Sequence, residues 1–260
     1  MRTALTIAGS DSGGGAGLQA DLKTFAAHGV FGLTAITAVT AQNTVGVLAV
    51  RPMPPDLVAA QIDAVIPDLG AGATKIGMLA NAAIVEEVAR AIERHRLTNV
   101  VLDTVMIAKG GAPLLDADAV AVMRARLVPL AAVITPNIPE AERLTGRTIT
   151  GVAAMRDAAR ALIAAGARAA VVKGGHLDGP AIDVFDDGAT VIELAAERIA
   201  TRNTHGTGCT FSSAIAARLA LGDSLRAAIE GAKAYVTRAI AQAPDLGHGH
   251  GPIQHFPITQ

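Results

Sequence analysis

Short aliphatic and β-branched runs alternate from end to end of the chain with longer segments whose apolar positions recur at helical spacing. That alternation marks βαβ units on a mostly parallel sheet. The first strand is predicted in "ALTIAG", residues 4–9. A glycine-rich turn then leads into a helix in "AGLQADLKTFAAHG", residues 16–29, where Leu18, Leu22, Phe25 and Ala26 share one face and Gly29 offers a left-handed stop. A second strand is predicted in "LTAITAVT", a helix after the prolines of "MPPDLVAAQIDAVI", a strand in "TKIGM", a helix over 81–97 and a strand in "NVVLDTVM". The pattern repeats twice more. "DADAVAVMRARLVPL" and "AMRDAARALIAAG" are helical, the latter stopping at Gly166, while "AAVITPN" and "AAVVKGG" read as strands. Near Ile182 the rhythm changes: "AIDVFDDGATVIEL" forms two strands around the turn pair Asp187 and Gly188, so one edge of the sheet is expected to be antiparallel. The last helices are predicted over 209–221 and 224–243. The tail "GHGHGPIQHF" is a candidate mobile flap; His248 and His250, at alternate positions, make a weak metal site beside the plainer reading of a loop.

In a parallel sheet the carboxyl ends of the strands line up along one edge, where ligand crevices form. The loops expected there are "GSDSGGGAG", "AQNT", the "GM" after "TKI", "DTVM", "TPNIPE" and "KGGH". Each has a plainer reading as well: Asn43 or Asn137 shapes a turn, and Lys173 is a strand-end charge in solvent. "GSDSGGGAG" approaches the dinucleotide fingerprint G-x-G-x-x-G, but Gly17 falls one residue early after Gly13 and Gly15, and no clear acidic residue ends the second strand. A nicotinamide-dependent oxidoreductase is therefore disfavoured.

The strongest phosphate signal is "THGTGCT", residues 204–210. Gly206 and Gly208 permit a tight turn, after which Thr207, Gly208 and Cys209 would present free backbone amides at a helix N-terminus, a natural anion site. It lacks the G-K-[ST] ending of a Walker loop, so a neutralising lysine must come from elsewhere, with Lys173 and Lys233 the leading candidates. The same dipole is expected to lower the pKa of Cys209 and favour the thiolate. A free cysteine is commonly just a small buried hydrophobe, yet this one stands at the expected ligand edge beside two glycines.

Composition narrows the partners. With 260 residues the chain can bury a full core, and one domain over 1–260 is expected. The balance of 22 basic against 23 acidic residues argues against nucleic acid or an anionic membrane and favours a small-molecule ligand. Cys209 is the only cysteine, so no internal disulfide forms, and "MRTALTIAGSD" reaches glycine too soon for a signal peptide. No uncharged run is long enough to span a bilayer. A cytoplasmic location follows as the expectation.

Taken in order, "LTIAGSDSGGGAGLQADLKTF", "TAVTAQNTVGV", "TKIGML", "VVLDTVMIAKGG", "ITPNIPEAERL", "VVKGGH", "NTHGTGCTFSSAIAA" and "GHGHGP" resemble the bacterial hydroxymethylpyrimidine/phosphomethylpyrimidine kinases of thiamine biosynthesis, within the ribokinase-like superfamily. The resemblance covers nearly the whole chain. It implies a three-layer α/β/α sandwich with a mostly parallel central sheet and an antiparallel edge. It also implies transfer of phosphate from ATP, with Mg2+, to the hydroxymethyl oxygen of 4-amino-5-hydroxymethyl-2-methylpyrimidine and then to the resulting monophosphate. By the same resemblance Gly9, Asp21, Gln42, Met78 and the backbone of Val105 line the pyrimidine pocket. Lys173, Thr204 and Lys233 meet ATP, Asp103 and Glu140 hold the metal, and Gly206, Thr207 and Gly208 form the anion hole. Gln42 suits its place because an amide offers a donor and an acceptor to a ring nitrogen and an exocyclic amine.

Sugar kinases of the superfamily end the anion-hole loop in aspartate, the presumed base. Here Cys209 stands in that place and is expected to act as the base, although phosphoryl transfer demands little base strength early in the reaction. "IAKGGAPLL", residues 107–115, is a candidate lid, and a homodimer is implied. Three other classes remain open: a pyridoxal kinase, a non-enzymatic sensor of the pyrimidine or nucleotide, and a cysteine hydrolase using His205.

Overall fold

The computed structural model describes residues 1–107 and 111–256. Its strands are β1 (Thr3–Asp11), β2 (Phe31–Gln42), β3 (Val47–Pro52), β4 (Ala73–Ile76), β5 (Val100–Leu102), β6 (Val133–Ile134), β7 (Ala170–Val172), β8 (Ala181–Asp186) and β9 (Val191–Ala196). Its helices are α1 (Gly17–Ala27), α2 (Pro55–Leu69), α3 (Ala82–His95), α4 (Ala117–Arg126), α5 (Ile138–Thr145), α6 (Val152–Ala164), α7 (Thr207–Leu221) and α8 (Leu225–Ala241). Among the described residues the strands make one sheet in the order β3-β2-β1-β4-β5-β6-β7-β8-β9. From β2 through β7 all pairings are parallel. Helices α1, α7 and α8 cover one face of the sheet and α2 to α6 the other, giving the expected three layers.

The hairpin around Gly188, whose φ is +84°, forms as predicted: β8 runs antiparallel to β7, and β9 to β8. The opposite edge is antiparallel as well, because β3 pairs back onto β2. Nothing in the hydrophobic pattern announced β3, since Leu48, Ala49 and Arg51 are all exposed and no alternation survives on a strand wet on both sides. Helix α5 was also not anticipated. Its signal is a capping box: Asn137 accepts from the Glu140 amide while Glu140 accepts from the Asn137 amide, with Pro139 in the first turn.

Helix α1 buries a different face from the one its aliphatic spacing suggested. Leu18, Asp21, Thr24 and Phe25 point inward, whereas Leu22 and Ala26 are exposed. The inward carboxylate is tolerated because Thr6, Lys75 and Ser213 all donate to it. The tail is likewise not a free flap. His250 and Gly249 donate to Thr44, His205 donates to the Gly251 carbonyl, and Thr210 bonds the ring of His255, which burial holds down at about 4.

Candidate active site

The chain order reverses between β1 and β4, so their carboxyl ends part and open a crevice at the switch point of the sheet. A cavity of about 640 Å³ fills it and continues past the ends of β5, β6 and β7 to α7 and α8. Of the residues assigned to the site from sequence, Gly9, Gln42, Met78, Asp103, Val105, Glu140, Lys173, Thr204, Gly206, Thr207, Gly208, Cys209 and Lys233 all line this cavity. Asp21 does not. It is fully buried behind the wall, with Oδ1 taken by Ser213 and Oδ2 shared by Thr6 and Lys75.

At the β1–β2 end the wall is largely uncharged, Asp11 apart. A Cβ on Gly9 would lie 2.9 Å from Met78 Sδ, so glycine is what lets that side chain cross the strand end. Met78 is fixed through its carbonyl, which accepts from the buried Thr37 hydroxyl at 2.5 Å. Gln42 accepts from Thr40 and lies with its amide nitrogen 3.5 Å from His205 Nε2.

Asp11, not singled out from sequence, organises the glycine-rich turn. Its Oδ1 accepts from the Gly13 amide at 2.8 Å, and its Oδ2 accepts from Gly15 and Ala16 at 3.1 and 2.9 Å. His205 Nε2 pairs with the same Oδ2 at 2.8 Å, which ties this turn to the 204–210 loop. The two backbones touch: a Cβ on Gly206, whose φ is +82°, would collide with the Gly15 carbonyl. Among the described residues no hydrogen bond joins the His205 ring to Cys209, so a Cys–His hydrolase pair has no support. An Asp two residues past a strand-end glycine, ahead of a run of glycine amides, was the available sequence signal for this anchor.

The anion loop delivers two free donors at the start of α7. The Gly208 and Cys209 amides have no protein partner among the described residues, whereas the Thr207 amide is spent on the Thr204 carbonyl at 3.3 Å, so the expectation of three is corrected to two. The expected thiolate is corrected as well. Burial pushes the Cys209 thiol up to about 11, with Asp103 and Asp21 adding to the rise and Lys75 and the Gly17 amide opposing it. Low dielectric and two carboxylates outweigh the helix end.

Beyond the loop the wall becomes charged. Lys173 Nζ lies 3.0 Å from Asp103 Oδ1, and a Cβ on Gly208 would stand 3.3 Å from that ammonium. Burial pushes Glu140 up to about 7, Lys173 working against the shift and Asp103 with it. Among the described residues, Asp103 Oδ2 is buried without a partner. A buried, unsatisfied carboxylate oxygen beside a second carboxylate fits a hard divalent cation, which takes oxygen ligands. Lys233 donates to Asp183 Oδ2 at 2.8 Å and to the Ala181 carbonyl at 2.9 Å, while Asp183 Oδ1 holds the Gly174 amide. It therefore joins α8 to the loop after Lys173. The candidate lid falls partly on residues 108–110, outside the described residues. Its stem closes as an Ile107–Pro113 bridge, and Ile107 and Leu114 line the cavity.

An α/β/α sandwich with its anion-binding helix end and paired acids at the carboxyl edge of a parallel sheet defines a small-molecule kinase of the ribokinase-like class. Within that class the chain belongs to the phosphomethylpyrimidine kinase family, whose model matches residues 11–254. It is 50% identical to the hydroxymethylpyrimidine/phosphomethylpyrimidine kinase of Bacillus subtilis over 97% of this chain and 94% of that protein. It is 53% identical to the thiamine biosynthesis bifunctional protein ThiED of Geobacter sulfurreducens, over 97% of this chain but only 52% of that protein, so the chain spans about half of it. Among solved structures, an ADP complex of Bacillus subtilis pyridoxal kinase superposes with a TM-score of 0.92 at 42% identity, covering 98% of this chain and 97% of that one.

Proposed function

We propose that the protein phosphorylates hydroxymethylpyrimidine with ATP and then phosphorylates the monophosphate, as a kinase of thiamine biosynthesis, with the residues of this cavity divided between the two ends of the reaction. The observation that carries the reading is the pair of amides, Gly208 and Cys209, unpartnered among the described residues, in the same cavity as Asp103, Lys173, Gln42 and Met78.

Gly9, Gln42, Met78 and Val105 hold and orient the ring, Gln42 reading its nitrogen pattern. The ring's hydroxymethyl group then points toward α7. The two amides stabilise the charge that grows on the equatorial oxygens of the transferring phosphoryl. Lys173, Thr204 and Lys233 border the nucleotide, with Lys173 adding positive charge beside Gly208. Asp103 and Glu140 would hold Mg2+, which supplies charge neutralisation to the phosphates when bound. Cys209 positions the alcohol; its proton becomes strongly acidic only once the new O–P bond forms, so prior ionisation of the thiol is not required. Asp21 acts from behind the wall.

The chain is further proposed to work as one domain, as a homodimer and in the cytoplasm. The exposed apolar Val45 and Leu48 at the β3 edge support self-association, which light scattering would test. No helix among the described residues is long and apolar enough to cross a membrane.

Incubation with Mg-ATP and hydroxymethylpyrimidine, with pyridoxal in a parallel tube and products resolved by mass, tests the assignment. Pyrimidine diphosphate, by way of the monophosphate, is expected. The second reading, a pyridoxal kinase, is favoured by the close superposition on that enzyme and predicts phosphorylated pyridoxal alone. No product in either tube leaves the sensor reading.

A further inference from the structure

Lys75 is fully buried, and among the described residues its ammonium meets a single carboxylate, that of Asp21, at 2.8 Å. Replacing such a buried pair by apolar residues commonly costs no stability, so stability alone does not account for it. Its placement does more. Asp21 stands one turn into α1, and its Oδ1 accepts from Ser213, one turn into α7 from Cys209. Thr6 on β1 donates to the other oxygen at 2.6 Å. One carboxylate therefore lashes the starts of both helices that border the phosphate end of the cavity to the two central strands.

The ammonium is also built around. A Cβ on Gly77 would lie 2.7 Å from Nζ, so the strand end after Lys75 admits the charge only because it carries glycine. Lys75 is attracted to Asp103, and to Cys209 when that thiol ionises, although no water reaches it. Burial keeps that charge strong, because little solvent screens it.

We propose that Lys75, through its pairing with Asp21, is a positioning residue for phosphoryl transfer: it fixes the N-terminus of α7 against α1. The inference rests on α7 being the phosphoryl site. It touches neither Gln42 nor Met78, so it acts on turnover and leaves pyrimidine binding largely alone.

Lys75→Met leaves a buried carboxylate without its cation and is expected to destabilise the protein. The decisive variant is therefore Lys75→Met with Asp21→Asn, which removes both charges. This double variant is expected to melt within a few degrees of the parent, to lose about 10- to 100-fold in kcat, and to keep KM for hydroxymethylpyrimidine within about threefold. In the single variant, alkylation of Cys209 by iodoacetamide is expected to need a higher pH than in the parent, a shift that a purely structural role would not produce. Parental kcat in the double variant overturns the proposal, as does an equal loss spread over KM and kcat. Failure of both variants to fold would make the pair a stability element and overturn it too. If the parent itself makes no pyrimidine phosphate, the kinase reading falls and this inference with it; a parent-like double variant removes this inference alone.

Discussion

The two faces of the central sheet are made by the same strands, read at alternate residues. Facing α2 to α6, the inward positions stay apolar up to the carboxyl ends: Leu5 and Ile7, then Ile76, Val100 with Leu102, Ile134, and Ala170 with Val172. Facing α1, α7 and α8, the lines of β1 and of β4 to β7 carry an apolar residue and turn polar two residues later. Ala4 is followed by Thr6, Ala73 by Lys75, Val101 by Asp103, Val133 by Thr135 and Val171 by Lys173, all buried or nearly so. These polar residues are wired to one another and to α7: Thr135 meets Ser212 at 2.9 Å and Asp103 at 3.4 Å, and Asp21 links Thr6, Lys75 and Ser213.

The difference teaches how one sheet can be both foundation and active site. The apolar face buries surface and supplies the driving force for folding. The other face spends part of its burial on charges held in place before substrate arrives, where low dielectric makes them strong. Adjacent residues on one strand should therefore fail in different ways.

The largest effect is expected at the polar end of β5. Asp103→Asn keeps the shape, removes a charge that Lys173 faces at 3.0 Å, and takes away the carboxylate whose free oxygen fits a cation. Turnover is expected to fall by about 10³-fold, in the range seen when one preorganised electrostatic group is lost, with a smaller loss of stability than at Leu102, because Glu140 still faces the Lys173 ammonium. Leu102→Ala, one residue away on the other face, is expected to do the reverse: a loss of about 3 kcal/mol of stability from a fully buried leucine, with kcat per folded molecule unchanged. Urea unfolding and initial rates on both variants check the contrast. Equal stability losses at the two positions would break it.

Next in size is Cys209, where the polar face meets the anion loop. With its thiol pushed up to about 11 by burial, the thiolate is scarce at neutral pH. Its alkylation rate in the free enzyme should then climb roughly tenfold per pH unit between 7 and 10 without a plateau, because the reactive form gains tenfold per unit below its pKa. Cys209→Ser is expected to keep most of kcat and Cys209→Ala to lose about 10-fold. A plateau below pH 8, together with a loss of 10²-fold or more in both variants, would return the residue to the role of base.

Much of this was legible in the sequence. "ALTIAG", "TKIGM", "VVLDTVM" and "AAVVKGG" announce the strands, and the glycine pair around Thr207 announces the helix end, because those signals are local. What escaped depends on partners far along the chain. Asp21 looked like a pocket residue beside an aliphatic helix face, and only Lys75 and Ser213, on other elements, make its burial affordable. The helix dipole argued for a thiolate at Cys209, while Asp103 and Asp21, brought from a strand and another helix, argue more strongly against it. Strand β3 was silent because exposure on both sides erases the two-residue period.

The smallest effect probes the one place where the contrast is imperfect. Thr74 lies between Ala73 and Lys75, so its side chain points to the apolar face, where it is fully buried and its hydroxyl finds no hydrogen-bond partner among the described residues. A buried hydroxyl with no partner costs free energy that an isosteric methyl group does not. Thr74→Val is thus expected to stabilise the protein by roughly 1 kcal/mol, visible as a higher urea midpoint at unchanged m-value, and to leave kcat and both KM values alone. Its counterpart on the wired face, Thr6→Val, removes a 2.6 Å hydrogen bond to Asp21 and should destabilise. Opposite signs for the same substitution on neighbouring parallel strands would show that it is the face, and not the residue type, that decides. Matching signs would mean that the buried hydroxyls are interchangeable and that the division between a dry face and a wired one goes no deeper than the charged residues.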